Sequence, residues 1–414
     1  MITENIDCVG IELYSRWKEY KAIDTPFGTI AEDWSYIPSL QFCTKITDGT
    51  HDSPKQQKAG KHLVTSKHIK GRNIDFETAY LISEKDFDNI NLRSKVEQWD
   101  VIVSMIGEYC GFTYVERNES IAYAVKNVGL FKTGSEHKAM WLFYYLNSKI
   151  GRHILEINKS GTSQPYLTLG FLRELPILYP SSSVEANHII QILTSLDDKI
   201  DLLHRQNLTL EQLAETLFRQ WFVEEAEESW EEISLSEIAE IKAGGDKPKV
   251  FSEIKTNECT FPIYSNGIDN DGLYGYTNTA KIFDESITVS ARGTIGFVCL
   301  RLEPYVPIVR LISVIPKKNK VSCIYLYLWA KSQNISGTGT TQEQLTVPDF
   351  SGTTLLLPTF DKMIEFTDCV NEFFQKIKSN QTQIRTLTQT RDTLLPKLMS
   401  GEVRVESEKL KVKK

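Results

Sequence analysis

The 414-residue sequence contains no apolar run approaching the ~18–20 residues that a membrane-crossing helix needs, so no spanning segment is expected. Its opening, MITENIDCVG, carries two acids and no basic or apolar block, and does not read as a secretory signal. Cysteine is sparse: Cys8, Cys43, Cys110, Cys259, Cys299, Cys323 and Cys369 are scattered, and no Cys-x-x-Cys pair is present to hold zinc or exchange thiols. Reduced, mostly buried thiols in a soluble cytoplasmic protein are the expectation. There is no Gly-x-x-x-x-Gly-Lys-Ser/Thr loop, and Gly337-Thr-Gly339-Thr-Thr lacks the lysine that would reach phosphates. No Asn/Asp-Pro-Pro-aromatic tetrapeptide positions an amino group for methylation, and neither His188 nor His204 has a second zinc ligand at helical spacing. No catalytic, metal or cofactor site is therefore expected on this chain.

What is present is ordinary in bulk and uneven in detail. The length calls for two or more domains, and 41% apolar with 24% charged residues is the composition of a globular protein. A net charge of −7 weighs against nucleic acid, yet the distribution matters more than the sum. Between Lys45 and Arg72 there are seven Lys/Arg (Lys45, Lys55, Lys58, Lys61, Lys67, Lys70, Arg72) against Asp48 and Asp52, with His51, His62 and His68 interspersed. Between Glu224 and Glu240 there are eight acids and no base. The basic stretch is either a solvated face or a phosphate track.

The two halves repeat each other in order. Trp34 and Ile46 to Lys55 (ITDGTHDSPK) align with Trp230 and Ile241 to Lys249 (IKAGGDKPK), and Ser66 and Ile69 with Ser265 and Ile268. Val103-Ser104-x-x-Gly107 with Gly111-Phe112 meets Val289-Ser290-x-x-Gly293 with Gly296-Phe297. Trp141-Leu-Phe-Tyr-Tyr-Leu meets Tyr325-Leu-Tyr-Leu-Trp, and Ser160-Gly161-Thr162 with Gln164 meets Ser336-Gly337-Thr338 with Gln342. Short β-rich runs such as Val101-Ile-Val-Ser and Leu311-Ile-Ser-Val-Ile alternate with Gly, Asn and Asp turns, which predicts a mixed α/β domain in each copy.

Each copy ends in a predicted helix with the four-three apolar rhythm of a coiled-coil seam. The first keeps it through Ile189, Leu193, Leu196, Ile200, Leu203, Asn207, Leu210, Ala214, Leu217 and Trp221. The second does so through Phe366, Val370, Phe373, Ile377, Asn380, Ile384, Leu387, Arg391, Leu394 and Leu398. Ser182-x-x-Glu185 reads as a capping box, and Pro396 is expected to end the second helix. Antiparallel pairing that sets Asn207 on Asn380 also sets Ile200 on Leu387 and Leu210 on Ile377; the alternative is that both asparagines sit at a wet edge or that each helix packs on its own domain. Arg391 would face Leu196, with Asp197 and Asp198 nearby. The first seam would be a rod of roughly 48 Å at ~1.5 Å per residue, longer than one duplex turn of ~34–36 Å. The expected fold class is α+β: two similar mixed domains joined by two long helices in an antiparallel coiled coil, an internal pseudo-twofold repeat. The expected division is an N-terminal segment 1–30, domains 31–181 and 226–358, helices 182–225 and 359–398, and a tail 399–414.

Three runs stand out: Leu213-Ala-Glu-Thr-Leu-Phe-Arg-Gln-Trp-Phe222, Leu394-Leu-Pro-Lys-Leu-Met-Ser-Gly-Glu-Val403 and Ile46-Thr-Asp-Gly-Thr-His51. Through them the chain resembles the specificity subunit of type I restriction-modification systems, over almost its whole length. A second family-like opening, Trp17-Lys-Glu-Tyr, leaves the start of the first domain open. The resemblance implies a non-catalytic DNA sequence-recognition subunit with two target-recognition domains, each reading half of a bipartite double-stranded DNA site. It also implies methylation subunits that bind S-adenosylmethionine, and motor-nuclease subunits that use ATP and Mg, as partners that carry the catalysis. By analogy with the family, loops near the start of each domain approach DNA. Those are Thr47, Asp48, Gly49, Thr50, His51, Lys67, His68, Lys70 and Arg72, then Lys242, Gly245, Lys247, Ser265, Asn266 and Arg292, each of which is otherwise an ordinary loop residue. The readings outside the family are a coiled-coil adaptor carrying two protein- or glycan-binding modules, and a stand-alone methyltransferase or nuclease. The adaptor reading predicts no steep salt dependence of DNA binding.

Overall fold

The β-branched runs between turns form two small sheets in each half of a computed structural model, which describes residues 13–15, 22–337 and 343–405. Trp17-Lys-Glu-Tyr, Thr338, Gln342 and the tail beyond 405 lie outside the described residues. The chain divides into two compact units, residues 1–202 with 383–414 and residues 203–382. In the first unit an antiparallel sheet runs in the order Thr113–Val115, Asp100–Ser104, Val128–Lys132, Lys45–Asp48. The second unit has the same order, Val298–Arg301, Ser286–Val289, Ile312–Pro316, Ala239–Ala243. Asp100–Ser104 and Ser286–Val289 are buried along their whole length, which is why Val101-Ile-Val and Ile287-Thr-Val read as continuous rather than alternating runs. A second sheet also repeats: Tyr123–Lys126 parallel to Lys61–Thr65, and Val306–Pro307 parallel to Phe261–Tyr264, each with an antiparallel third strand.

The aromatic runs are helices that cap these sheets. In Glu136–Asn147, Ala139 to Leu146 are all buried, so the helix shows apolar residues on every side. Trp141 donates its Nε1–H to the Leu178 carbonyl at 2.9 Å. Tyr325, its counterpart in Cys323–Ser332, donates its hydroxyl to the Leu356 carbonyl at 2.7 Å. Burying one such ring contributes about 1.5–3 kcal/mol, and the hydrogen bond removes the cost of burying its polar end. The repeated tryptophans do matching work. Trp34 packs at a tilt against Trp141, 5.8 Å between centroids, and Trp230 at a tilt against Phe222, 6.0 Å away at the end of the first long helix.

The heptad stretches are the helices Ser183–Arg219, continued by a π-turn at Gln220–Glu224, and Phe360–Ser400. Ser182 Oγ accepts the Glu185 N–H at 3.5 Å at the first helix start. Every seam position is buried or half-buried. In the second unit the two segments run antiparallel: Phe222 meets Phe366 at 4.9 Å, and Asn380 Nδ2 donates to Asn207 Oδ1 at 2.8 Å. Asn380 is fully buried and also donates to Gln206 Oε1 at 2.9 Å. In the first unit Arg391 leaves the apolar seam to reach the buried Asp197 at 3.0 Å. Pro396 does not end its helix, which continues to Ser400. Within one turn of the terminus the missing N–H costs a single bond. The stop comes from Gly401, left-handed at φ +74°, whose N–H reaches the Leu398 carbonyl. The strand Val403–Val405 that follows pairs antiparallel with Leu13–Ser15.

Candidate functional site

In each unit one strand leads into a loop that must pass close to a neighbouring strand, and a glycine allows it. A Cβ on Gly49 would stand 2.5 Å from the Val125 carbonyl oxygen, and one on Gly244 would stand 2.7 Å from the Pro307 carbonyl carbon. Those contacts are with backbone, which cannot yield, so both positions are closed to any side chain. The loops that follow share two backbone ties in both units, one to the carbonyl of Val128 or Leu311 and one from the N–H of Asn127 or Val309.

In the first unit Gly49 N–H donates to the Val128 carbonyl, Thr50 N–H to the Val125 carbonyl and Asn127 N–H to the Thr50 carbonyl. Ser66 Oγ donates to the Asn127 carbonyl at 2.6 Å and accepts the Met105 N–H at 3.2 Å. Asn127 is left-handed at φ +56°, a conformation asparagine tolerates. Its Oδ1 lies 3.2 Å from His51 Nδ1, while His51 Nε2 lies 3.0 Å from Asp48 Oδ2. Asp48 is itself buried and ion-paired to Arg93.

In the second unit Gly244 N–H donates to the Leu311 carbonyl and Val309 N–H to the Gly245 carbonyl. Asn266 takes the place of Ser66: its Nδ2 donates to the Val309 carbonyl at 2.6 Å and its Oδ1 accepts the Ala291 N–H at 2.8 Å. The ladders agree, since Val64 pairs with Val125 and Tyr264 with Pro307. Ser66 therefore corresponds to Asn266 and not to Ser265. The shared serine suggests the wrong register, whereas the strand pairing counts positions directly.

The expected contact residues separate into two groups. His51, Lys67, Lys70, Lys242, Gly245, Lys247 and Arg292 are exposed, and Thr50 is half-buried beside His51. Several are already oriented from within the chain. Lys70 Nζ stands 3.7 Å from the Tyr109 ring centroid and Lys247 Nζ 3.3 Å from that of Phe251, while Lys242 pairs with Glu240 at 2.8 Å. Arg292 donates twice to Gln344 Oε1, at 3.0 and 2.9 Å. The others are turned to internal work. Thr47 and Asp48 are buried, and Ser265 gives its N–H to the Gly272 carbonyl. His68 is fully buried, with Nδ1 accepting the Thr65 N–H at 2.9 Å; burial, then the neighbouring Lys67 charge, hold its pKa below the usual histidine value. Asn266 spends both ends of its amide on backbone.

Arg72 differs most from its expected place at the DNA. Its guanidinium donates to Asp197 at 2.6 Å and to Asp201 at 2.9 Å, and Asp197 also accepts from Tyr144 at 2.8 Å and from Arg391. Burial, then the Asp197 charge, push the Tyr144 hydroxyl pKa up. The charge of Arg72 is neutralised inside the unit, and only the fold brings its partner within reach. Residues that the motifs do not single out complete the loops: Asn127 and Lys126 in the first unit, Lys281, Val309 and Arg310 in the second. No helix among the described residues is long and apolar enough to cross a membrane, and no three His, Cys, Asp or Glu among them are grouped to hold a metal ion.

The family described as "Type I restriction modification DNA specificity domain" matches twice, over residues 56–212 and 227–389. The type I restriction enzyme MjaIX specificity subunit of Methanocaldococcus jannaschii is 26% identical, covering 94% of this chain and 98% of its own. A putative type I specificity subunit of Mycoplasma pneumoniae is 28% identical over 61% of this chain and 69% of its own. The crystal structure of a type I restriction-modification S subunit from M. genitalium superposes with a TM-score of 0.56 at 17% identity, covering 88% of this chain and 96% of that one, a likeness of fold. With two copies of the family domain, two units of one topology and a full-length relative, this chain belongs to the specificity subunits of type I restriction-modification systems, which recognise DNA sequence.

Proposed function

We propose that each unit reads one half of a bipartite, asymmetric duplex site, and that the paired helices set the gap between the halves and dock methylation subunits. The observation that carries this reading is the duplicated loop cluster: one hydrogen-bond scheme built around Gly49 and Gly244, carrying different exposed side chains in each copy. A constant frame with changeable tips suits two half-sites of different sequence. His51, Thr50, Lys67 and Lys70 are the contacts of the first half, and Lys242, Gly245, Lys247 and Arg292 those of the second. The chain itself is non-catalytic. S-adenosylmethionine belongs on the methylation subunits, and ATP with Mg on the motor-nuclease subunits, all in the cytoplasm.

A genome-wide adenine-methylation map with and without the gene tests the reading. Loss of methylation at a single two-part motif is expected, and an unchanged map overturns it. Inserting one heptad into both helices is expected to lengthen the spacer and leave both half-motifs intact; an unchanged spacer removes the helices from that role.

A further inference from the structure

The second unit carries a feature that the first lacks. Between the strands Val306–Pro307 and Ile312–Pro316, Val309 and Arg310 are both left-handed, at φ +53° and +61°. A β-branched valine is among the residues least suited to that conformation. Val309 is also 51% exposed, so the turn is costly in conformation and in apolar exposure at one position. Four hydrogen bonds hold it there: Val309 N–H to the Gly245 carbonyl at 2.9 Å, Arg310 N–H to Gly244 at 3.0 Å, Leu311 N–H to Ile308 at 3.0 Å, and Asn266 Nδ2 to the Val309 carbonyl at 2.6 Å. A turn fixed from three directions does not rearrange to hide its side chains.

Arg310 is exposed, and among the described residues no hydrogen bond or ion pair holds its guanidinium. The surroundings are cationic. Lys281 Nζ lies 3.6 Å from where a Cβ on Gly245 would stand, and Arg292 follows Ala291, which Asn266 binds. Lys247 and Lys249 lie in the Gly244 loop, in which Asp246 is the one acid, and Lys242, paired with Glu240, lies in the strand before it. At the matching place in the first unit the turn is a single Asn127, whose side chain faces His51.

Building on the proposed reading of this chain, we infer that Val309-Arg310 is a rigid recognition tip of the second unit that enters a groove of duplex DNA, Arg310 reading a guanine through its planar fork and Val309 meeting a neighbouring thymine methyl. A free guanidinium on a pre-ordered turn provides two parallel donors at fixed geometry, the arrangement that guanine O6 and N7 accept. The flanking lysines hold the phosphates on either side. The first unit, without the inserted residue, reads its half through the shorter His51–Asn127 loop.

Selection from a pool of randomised duplexes by the purified full chain, followed by sequencing, tests this. The wild-type chain is expected to select a two-part motif. Arg310→Ala is expected to flatten base preference roughly ten- to hundredfold at one position, or two adjacent positions, of one half, leaving the other half intact. Arg310→Lys is expected to flatten the same position, because lysine keeps the charge and loses the fork. An unchanged motif in Arg310→Ala overturns the proposal. So does a uniform loss of affinity that Arg310→Lys restores, which marks a phosphate contact. Thermal melting of both variants guards against misfolding, and if the alanine variant unfolds the lysine variant decides alone. A wild-type chain that selects no motif overturns the proposed reading of the whole chain, a result distinct from a motif that ignores residue 310.

Discussion

The two units share their sheets, aromatic helices and loop ties, and differ at the positions those ties hold in place. Where the first unit places Asn127 the second places Val309 and Arg310, and where the first uses Ser66 the second uses Asn266. They also differ in how the globular part grips the helices. The first unit buries a carboxylate, Asp197, under two arginines and a tyrosine. The second uses Glu211, a quarter exposed, with Lys331 at 3.1 Å and the Tyr327 hydroxyl. The backbone frame is set by glycine contacts and ladder bonds that tolerate little change, and the side chains mounted on it are free to vary. That separation leaves one fold presenting two different sets of exposed side chains.

The largest asymmetry is expected at the carboxylates. Asp197→Ala leaves Arg72 and Arg391 short of their buried acceptor and is expected to destabilise the first unit by about 3–5 kcal/mol. Glu211 is itself partly hydrated where Asp197 is buried, and Glu211→Ala is expected to cost the second unit about 1–2 kcal/mol. Hydrogen exchange followed on peptides from each unit separates the two effects, and equal losses break the comparison. A smaller effect of opposite sign is expected at the turn. Val309→Asn places there the residue type that the first unit uses and is expected to stabilise the second unit by about 1 kcal/mol, read as a shift in its denaturation midpoint. A loss of stability instead would show that the valine packs better than its exposure indicates.

The smallest effect is a drift with pH. Six of the seven histidines (His51, His62, His68, His137, His153, His188) lie in the first unit, and His204 alone in the second. Burial holds the pKa values of His68 and His137 below 6.5, with the adjacent Lys67 or Lys138 charge adding to the effect. A base whose folded pKa is depressed contributes stability above its unfolded value of 6.5, and that contribution is lost as pH falls toward the folded one. Mild acidification below 6.5 is therefore expected to loosen the first unit before the second, and His68→Gln to reduce the difference. Exchange that rises equally in both units on acidification removes this asymmetry.

Much of the fold is legible in the sequence because repetition and heptads are local patterns. The paired Trp34 and Trp230, the Val-Ser-x-x-Gly turns and the four-three rhythm survive in order, and each marks an element that the fold repeats. What escapes is decided by partners distant in sequence. Arg72 sits in a basic stretch, yet its acceptor Asp197 is 125 residues away. Asn266 looks like a free amide until the carbonyl of Val309 and the N–H of Ala291 are brought to it. Pro396 looks like a stop, but at a helix end it gives up only one bond, and Gly401 supplies the reversal. The identical serines Ser66 and Ser265 suggest a register that the parallel strand pairs move by one.

The short pairing of Leu13–Ser15 with Val403–Val405 bears on how the molecule is made. Residues 203–382 form one uninterrupted stretch that makes up the whole of the second unit. The first unit is completed by residues 383–414, which supply Arg391, the close approach of the Gly401 backbone to Trp34 and the strand partner of Leu13–Ser15. Removing residues 391–405 is thus expected to leave the second unit's residues together and to strip Asp197, Trp34 and Leu13–Ser15 of partners in the first.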